Sequence, residues 1–135
     1  MQTFLPYPNF QQSFECLDYR RLGKQRVEAF QILNVLLGRT QSKGWVNHPA
    51  TKMWKGYENA LKLYFNMCVD EWIKRGYKNT MKYEIIEGGI ILPPWIGSKS
   101  FHRSHQSNLL RKDSLHYGKY FKNVSPNLPY VWSIY

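Results

Sequence analysis

The sequence predicts an all-α, compact, single-domain protein spanning residues 1–135, with residues 83–97 forming either a short hairpin or an irregular loop. Three observations carry this prediction. First, Trp54, Tyr57, Leu61, Tyr64, Phe65, Cys68 and Trp72 recur at three- and four-residue steps, which draws one apolar stripe down a helix. Second, another helical pattern runs from near Gln11 to Leu37. Third, the one β-like stretch, "YEIIEGGIILPPWIG", is cut by Gly88-Gly89 and stopped by Pro93-Pro94. A chain of 135 residues with 43% apolar content is long enough to bury one real core.

The elements follow in order. Pro6, Pro8 and Asn9 keep the first ten residues extended, because a proline pushes the residue before it out of the helical region. The first helical pattern contains Gly23, a poor helix former, which predicts a break: a short helix before residue 18 and a longer one from about Leu22, stopped by Gly38. One long helix is expected next, with Asn47 as its cap, Pro49 in its first turn, and Lys74, Arg75 and Gly76 at its end. Ser100 is placed to cap a helix through "FHRSHQSNLLRKD", and a short helical piece follows Ser114. The tail "NVSPNLPYVWSIY" reads as extended, with a terminal aromatic cluster.

Composition narrows the partner. Nineteen Lys and Arg stand against nine Asp and Glu, for a net charge of +10. Such an excess favours a polyanion, either nucleic acid or an acidic membrane surface. Ten Tyr, seven Phe and five Trp supply a core, or flat faces on which bases stack. Cys16 and Cys68 are isolated, which points to a reducing compartment rather than a disulfide scaffold. Neither a signal peptide nor a membrane-length apolar run is read, so a cytoplasmic or nucleoid-associated protein is expected, not a secreted or membrane one. No Gly-rich phosphate loop, GxSxG turn or carboxylate pair appears.

Residues 18–30, "DYRRLGKQRVEAF", hold the most informative cluster. On an ideal helix Lys24 and Arg21 lie within about 40° of Glu28, while Leu22, Phe30, Leu33 and Leu37 gather on the far side. Arg20, Arg21, Lys24 and Arg26 can hold phosphates. Glu28 has two readings: a solvated ion pair with Lys24, or the single acid/base of a site that handles a polyanion. Arg26 falls among the apolar residues, which demands a break at Gly23, a partly buried and paired Arg26, or a helix without a fully dry face. His102 and His105, at i and i+3 with Arg103 and Gln106 beside them, read as DNA contacts, as packing groups, or as metal ligands together with His48 or His116. His48 opens a helix and suits local hydrogen bonding or site membership. Arg111, Lys112, Lys119 and Lys122 interleave with Tyr117, Tyr120 and Phe121, as on a backbone track or on a basic helix over a Tyr-rich core.

"LDYRRLGKQRVEA", "NHPATKMWKGYE" and "HRSHQSNLLRKD" together resemble the pyrimidine-dimer DNA glycosylase/endonuclease V family, and most closely a small cellular and viral branch that begins "MQTFLPYP" and ends "LPYVW". The resemblance to the branch covers nearly the whole chain. That to the phage enzyme rests on the spacing of Leu17, Leu22 and Glu28 and on a late helix before an aromatic tail. What it implies is an all-α endonuclease V-like fold without cofactor or metal, acting as a monomer on double-stranded DNA that carries a damaged or modified pyrimidine. It further implies a glycosylase with AP-lyase activity: an N-terminal amine attacks the sugar C1′, an imine forms, and a helix glutamate assists β-elimination. Glu28 falls on that glutamate. The phage enzyme exposes a small Thr amine after Met removal. Here residue 2 is the bulky Gln2, so the implied nucleophile is the Met1 amine, or else a lysine such as Lys24. A basic nucleic-acid-binding module without chemistry and a metal-dependent nuclease using the histidines are the alternatives.

Overall fold

The computed structural model describes residues 2–41, 44 and 46–132. Six helices follow in order: α1 (Phe10–Cys16), α2 (Tyr19–Leu36), α3 (Pro49–Trp54), α4 (Glu58–Lys74), α5 (Lys99–Lys112) and α6 (Ser114–Tyr117), and no strand occurs among the described residues. The all-α expectation is met. Both α1 and α2 pack on α4, whose Leu61, Tyr64, Phe65 and Cys68 are fully buried. Trp54, Phe14, Phe101 and Tyr117 complete one continuous aromatic core with them.

Two breaks lie elsewhere than the sequence predicts. The first helical pattern parts at Leu17–Asp18, not at Gly23. Leu17 is extended, and Asp18 restarts the chain as a cap whose carboxylate accepts the Arg21 N–H. Gly23 stays inside α2 because the Trp72 ring packs on it. A Cβ there would meet that ring at 3.0 Å. The long helix expected from Asn47 is two helices. His48, not Asn47, caps α3, and Gly56 at φ +90° turns the chain before α4. Ser98 rather than Ser100 holds the N-cap position of α5, without a capping bond from its side chain.

Residues 83–97 form an irregular loop rather than a hairpin, and α4 is the reason. Asn66 donates to Glu84 O at 3.0 Å and accepts its N–H at 2.8 Å. Lys62 donates to Ile85 O, and Asn59 to both Glu87 O and Gly89 O. Side-chain amides along one helix thus take the backbone groups that a second strand would otherwise satisfy.

The first residues are a buried strap rather than an exposed arm. Residues 2–6 are extended and buried, and Thr3 and Leu5 are fully so. A buried extended segment has no ladder of its own, so its polar groups need side-chain partners. Gln25 Nε2 donates to Gln2 O, Gln25 Oε1 accepts the Phe4 N–H, and Tyr64 donates to Phe4 O. Leu5 N–H is taken by His105, Leu5 O by His102, and Pro6 O by Gln106. Trp54 Nε1 holds the Thr3 hydroxyl at 3.0 Å. The tail is tied down more lightly: Ser107 and Ser104 accept the N–H groups of Leu128 and Val131.

Candidate active site

The strap ends at the wall of a groove of about 910 Å³. The start of α2 supplies Asp18, Arg20, Arg21, Lys24 and Glu28, the end of α5 supplies Lys112, and Asp113 and His48 stand at helix starts. Gln2, Phe4, Tyr19, Tyr130 and Trp132 close the walls. A volume of this order suits a nucleotide-sized ligand. Four full cations face it, with aromatic rings between them, which is the composition that receives a phosphate backbone and its bases.

Three carboxylates share this groove, and their hydrogen bonds separate them. Asp18 accepts the Arg21 N–H, the Arg21 guanidinium at 3.1 Å and the Tyr117 hydroxyl. Burial pushes the Asp18 carboxyl up, but the bonds from Tyr117 and Arg21 outweigh burial and hold it below its ordinary range. Asp113 caps α6 by accepting the His116 N–H. Glu28 differs from both in that it caps no helix. Its two donors, the Gln2 N–H at 3.3 Å and Gln25 Nε2 at 3.1 Å, both end on Oε2. No residue among those described donates to Oε1, so the carboxylate is anchored through one oxygen.

The anchoring follows from where Glu28 sits on α2. The buried stripe of this helix is Leu22, Gln25, Ala29, Ile32 and Leu33. Its centre is about 90° from Glu28, not at the far pole that Leu22, Phe30, Leu33 and Leu37 imply. Leu37 is exposed, and Val27 holds the truly outward position. Glu28 is therefore on the shoulder of the buried face, half covered. It forms no ion pair with Lys24: the ion pairs among the described residues are Arg21–Asp18, Arg39–Glu84 and Arg75–Glu71.

Gln25 makes the shoulder work. It is a polar residue in an apolar stripe, 1% exposed, and its amide has four neighbours. Oε1 accepts from Phe4 N–H and from Tyr64, while Nε2 donates to Gln2 O and to Glu28. One side chain thus ties the strap, the core tyrosine and the groove acid together.

The remaining sequence candidates are distributed as follows. Arg20, Arg21, Lys24, His48 and Lys112 line the groove with Glu28. Met1 lies outside the described residues. His48 Nδ1 accepts the Ala50 N–H, its ring meets the Trp132 edge, and burial lowers its pKa. Arg26 is on the other flank of α2: its guanidinium lies 4.3 Å over Trp72 and donates to Asn79 at 2.7 Å. Arg26 is the partly buried and paired residue that its place among apolar neighbours demands.

His102 and His105 are not on the groove, which corrects their reading as DNA contacts or metal ligands. His102 is 5% and His105 0% exposed. His105 Nδ1 accepts the Leu5 N–H, so that nitrogen carries no proton. His102 Nε2 accepts the Gly97 N–H, which leaves Nδ1–H to donate to Leu5 O. The two rings hold opposite tautomers and read the two polar groups of one strap residue. Burial lowers both pKa values, that of His105 to about 3. Gln106 holds Pro6 O, and Arg103 holds Asn123 O in the tail. Arg111 bonds Asn108 and acts on Tyr130 through its charge. No group of three His, Cys, Asp or Glu residues among those described is arranged to hold a metal. Cys16 and Cys68 are buried free thiols, and no helix among the described residues is long and apolar enough to cross a membrane.

Sequence reading missed Gln2, Gln25, Tyr19, Tyr130 and Trp132 as groove residues. Gln25 carried a signal: a polar residue three steps from Leu22 and four from Ala29, in a helical stripe that is otherwise apolar. The tail rings carried none, since their position depends on Ser104 and Ser107.

Among curated proteins and among solved structures no match is found. The sequence model of the pyrimidine dimer DNA glycosylase family matches residues 1–85. That span contains the strap, Gln25, Glu28 and the groove cations of α2. By this match over more than half of its length, the chain belongs to the pyrimidine dimer DNA glycosylase family, a family of DNA-repair glycosylases.

Proposed function

We propose that this protein excises damaged or modified pyrimidines from duplex DNA as a monomer, and then nicks the strand at the abasic sugar. The observation that carries the reading is the Gln2 N–H on Glu28 Oε2 at 3.3 Å, at the wall of a cation-lined groove. In this reading the nucleophile is the Met1 amine, one residue before that nitrogen in the sequence. An α-amine has a pKa near 8, so a useful fraction is neutral and nucleophilic at pH 7. Attack at C1′ expels the base, which takes up the proton that the amine loses; the C1′–O4′ bond then breaks, O4′ takes a proton, and the nitrogen is left doubly bonded to C1′ as a cationic imine. The cationic imine acidifies the C2′ proton, and Glu28, held through Oε2, removes or relays it through Oε1. Arg20, Arg21, Lys24 and Lys112 hold the flanking phosphates. Tyr19, Tyr130 and Trp132 offer faces to the extruded nucleotide.

Borohydride capture tests this directly. A covalent DNA adduct is expected, with the sugar on the Met1 amine by mass mapping. An enzyme that cuts without forming an adduct overturns the imine, and an adduct on Lys24 moves the nucleophile. Glu28→Gln is expected to bind duplex DNA at least as tightly as wild type, because a charge facing the phosphates is lost, while nicking falls by about 10²-fold or more. Unchanged nicking would remove Glu28 from the reaction. The binding-only reading is weakened by Glu28 itself: an acid anchored toward a polyanion groove opposes binding and helps only chemistry.

A further inference from the structure

Gln2 presents a donor that the fold leaves without a well-formed acceptor. Its residue is 7% exposed and lines the groove beside Glu28. Its Oε1 accepts the Thr3 N–H at 2.9 Å, which fixes which end of the amide is oxygen. Nε2 is then sealed from water with no well-formed acceptor among the described residues. Burial raises the Tyr130 hydroxyl pKa and a weak bond from the Gln2 side chain lowers it slightly, but that contact falls outside good hydrogen-bond geometry, so Tyr130 is a marginal acceptor that an arriving base can replace. A buried donor without a partner costs about 1–3 kcal/mol, and such groups are rare in native structures. The other amide of this cluster, Gln25, has a partner at every position.

We propose that the Gln2 side-chain amide is the donor to a carbonyl oxygen of the pyrimidine being excised, holding the base while the C1′–N1 bond breaks. The inference rests on the base-excision reading above and deepens it. Every pyrimidine carries a carbonyl at C2, next to the nitrogen that leaves. In the step, the amine lone pair forms the new bond to C1′ and the C1′–N1 pair departs with the base. The charge spreads from N1 onto O2, and the proton lost by the amine balances the one that the base anion takes up. A fixed N–H at that oxygen is matched to charge that grows only in the transition state, and burial strengthens it. Tyr130, half buried on the lightly tied tail, is the side chain that yields as the base arrives.

The test separates the two chemical steps. Base release from a duplex with one cyclobutane pyrimidine dimer and nicking of the same duplex with a preformed abasic site are timed in single turnovers. An abasic sugar has no base to hold. Gln2→Met, close in size and without donor or acceptor, is expected to lower the ratio of base release to abasic nicking by about ten- to a hundredfold. Gln2→Glu keeps an oxygen for Thr3 and removes the donor, so it must lower the ratio too, whether or not Gln2→Met folds. A wild-type ratio in Gln2→Glu overturns the proposal. A wild-type protein that nicks abasic duplex but releases no base from the dimer overturns it for that base, and one with neither activity overturns the excision reading itself.

Discussion

Acid should loosen the strap through His105, and the effect has a computable size. The ring is fully buried and accepts the Leu5 N–H through a bare Nδ1. Protonation would place two N–H groups face to face. Burial, with a smaller contribution from His102, lowers its pKa from 6.5 to about 3. The folded value is below the unfolded one, so the unfolded chain binds the extra proton between these limits. Stability is full above pH 6.5 and falls as pH drops toward 3. At 1.36 kcal/mol per pKa unit, moving from pH 7 to pH 5 costs about 2 kcal/mol through this one ring. His105→Asn keeps an acceptor near the Nδ1 position and removes the titration. Urea unfolding of both proteins at pH 7 and pH 5 isolates the ring, because all other groups titrate in both. Wild type is expected to lose about 2 kcal/mol more than His105→Asn over this interval. Equal losses would refute the assignment of a neutral His105 as the clamp on Leu5.

Two further perturbations address the scaffold and the groove. Gly23→Ala should destabilise by up to about 2 kcal/mol in urea titration, because overpacking exceeds the gain of about 1 kcal/mol in helix propensity. Trp72 cannot retreat from the added methyl, since Arg26 covers it at 4.3 Å and Tyr77 stacks on it at 4.4 Å; a stabilised variant would contradict this packing. Lys112→Gln should weaken binding to damaged and undamaged duplex alike and reduce the slope of log K against log salt by about 1 in magnitude. An unchanged slope in filter or anisotropy titrations would place the phosphates away from the end of α5.

Helix content and the Glu28 neighbourhood were legible because periodicity and charge are local signals. The stripe from Trp54 to Trp72 did mark residues that enter the core, and Arg21 and Lys24 do share the groove with Glu28. What failed depended on partners distant in sequence. Gly23 looks like a helix breaker until Trp72 occupies the place of its missing Cβ. Gly56 looks like a tolerable glycine in a long helix, yet its φ of +90° ends α3. The run at 83–92 has strand composition, but the amides of Asn59 and Asn66 take its backbone groups first.

The histidines show most clearly why chemistry-bearing residues mislead when read alone. Two imidazoles at i, i+3 beside Arg and Gln suit a nucleic-acid surface equally well as a clamp, and the sequence separation of about 100 residues to Leu5 and Pro6 hides the clamp. Once the strap is buried, each of its polar groups demands a partner. Gln25, Tyr64, His102, His105 and Gln106 are then required by the backbone they satisfy, not by a ligand. The same demand is what delivers the Gln2 nitrogen to Glu28. The groove acid is oriented by a segment that only the core can hold, so damage to His105 or Tyr64 should appear as lost positioning at Glu28 although neither residue faces the groove. That coupling gives the extended start of the chain a physical role: it brings Gln2 through the core to the groove carboxylate of Glu28.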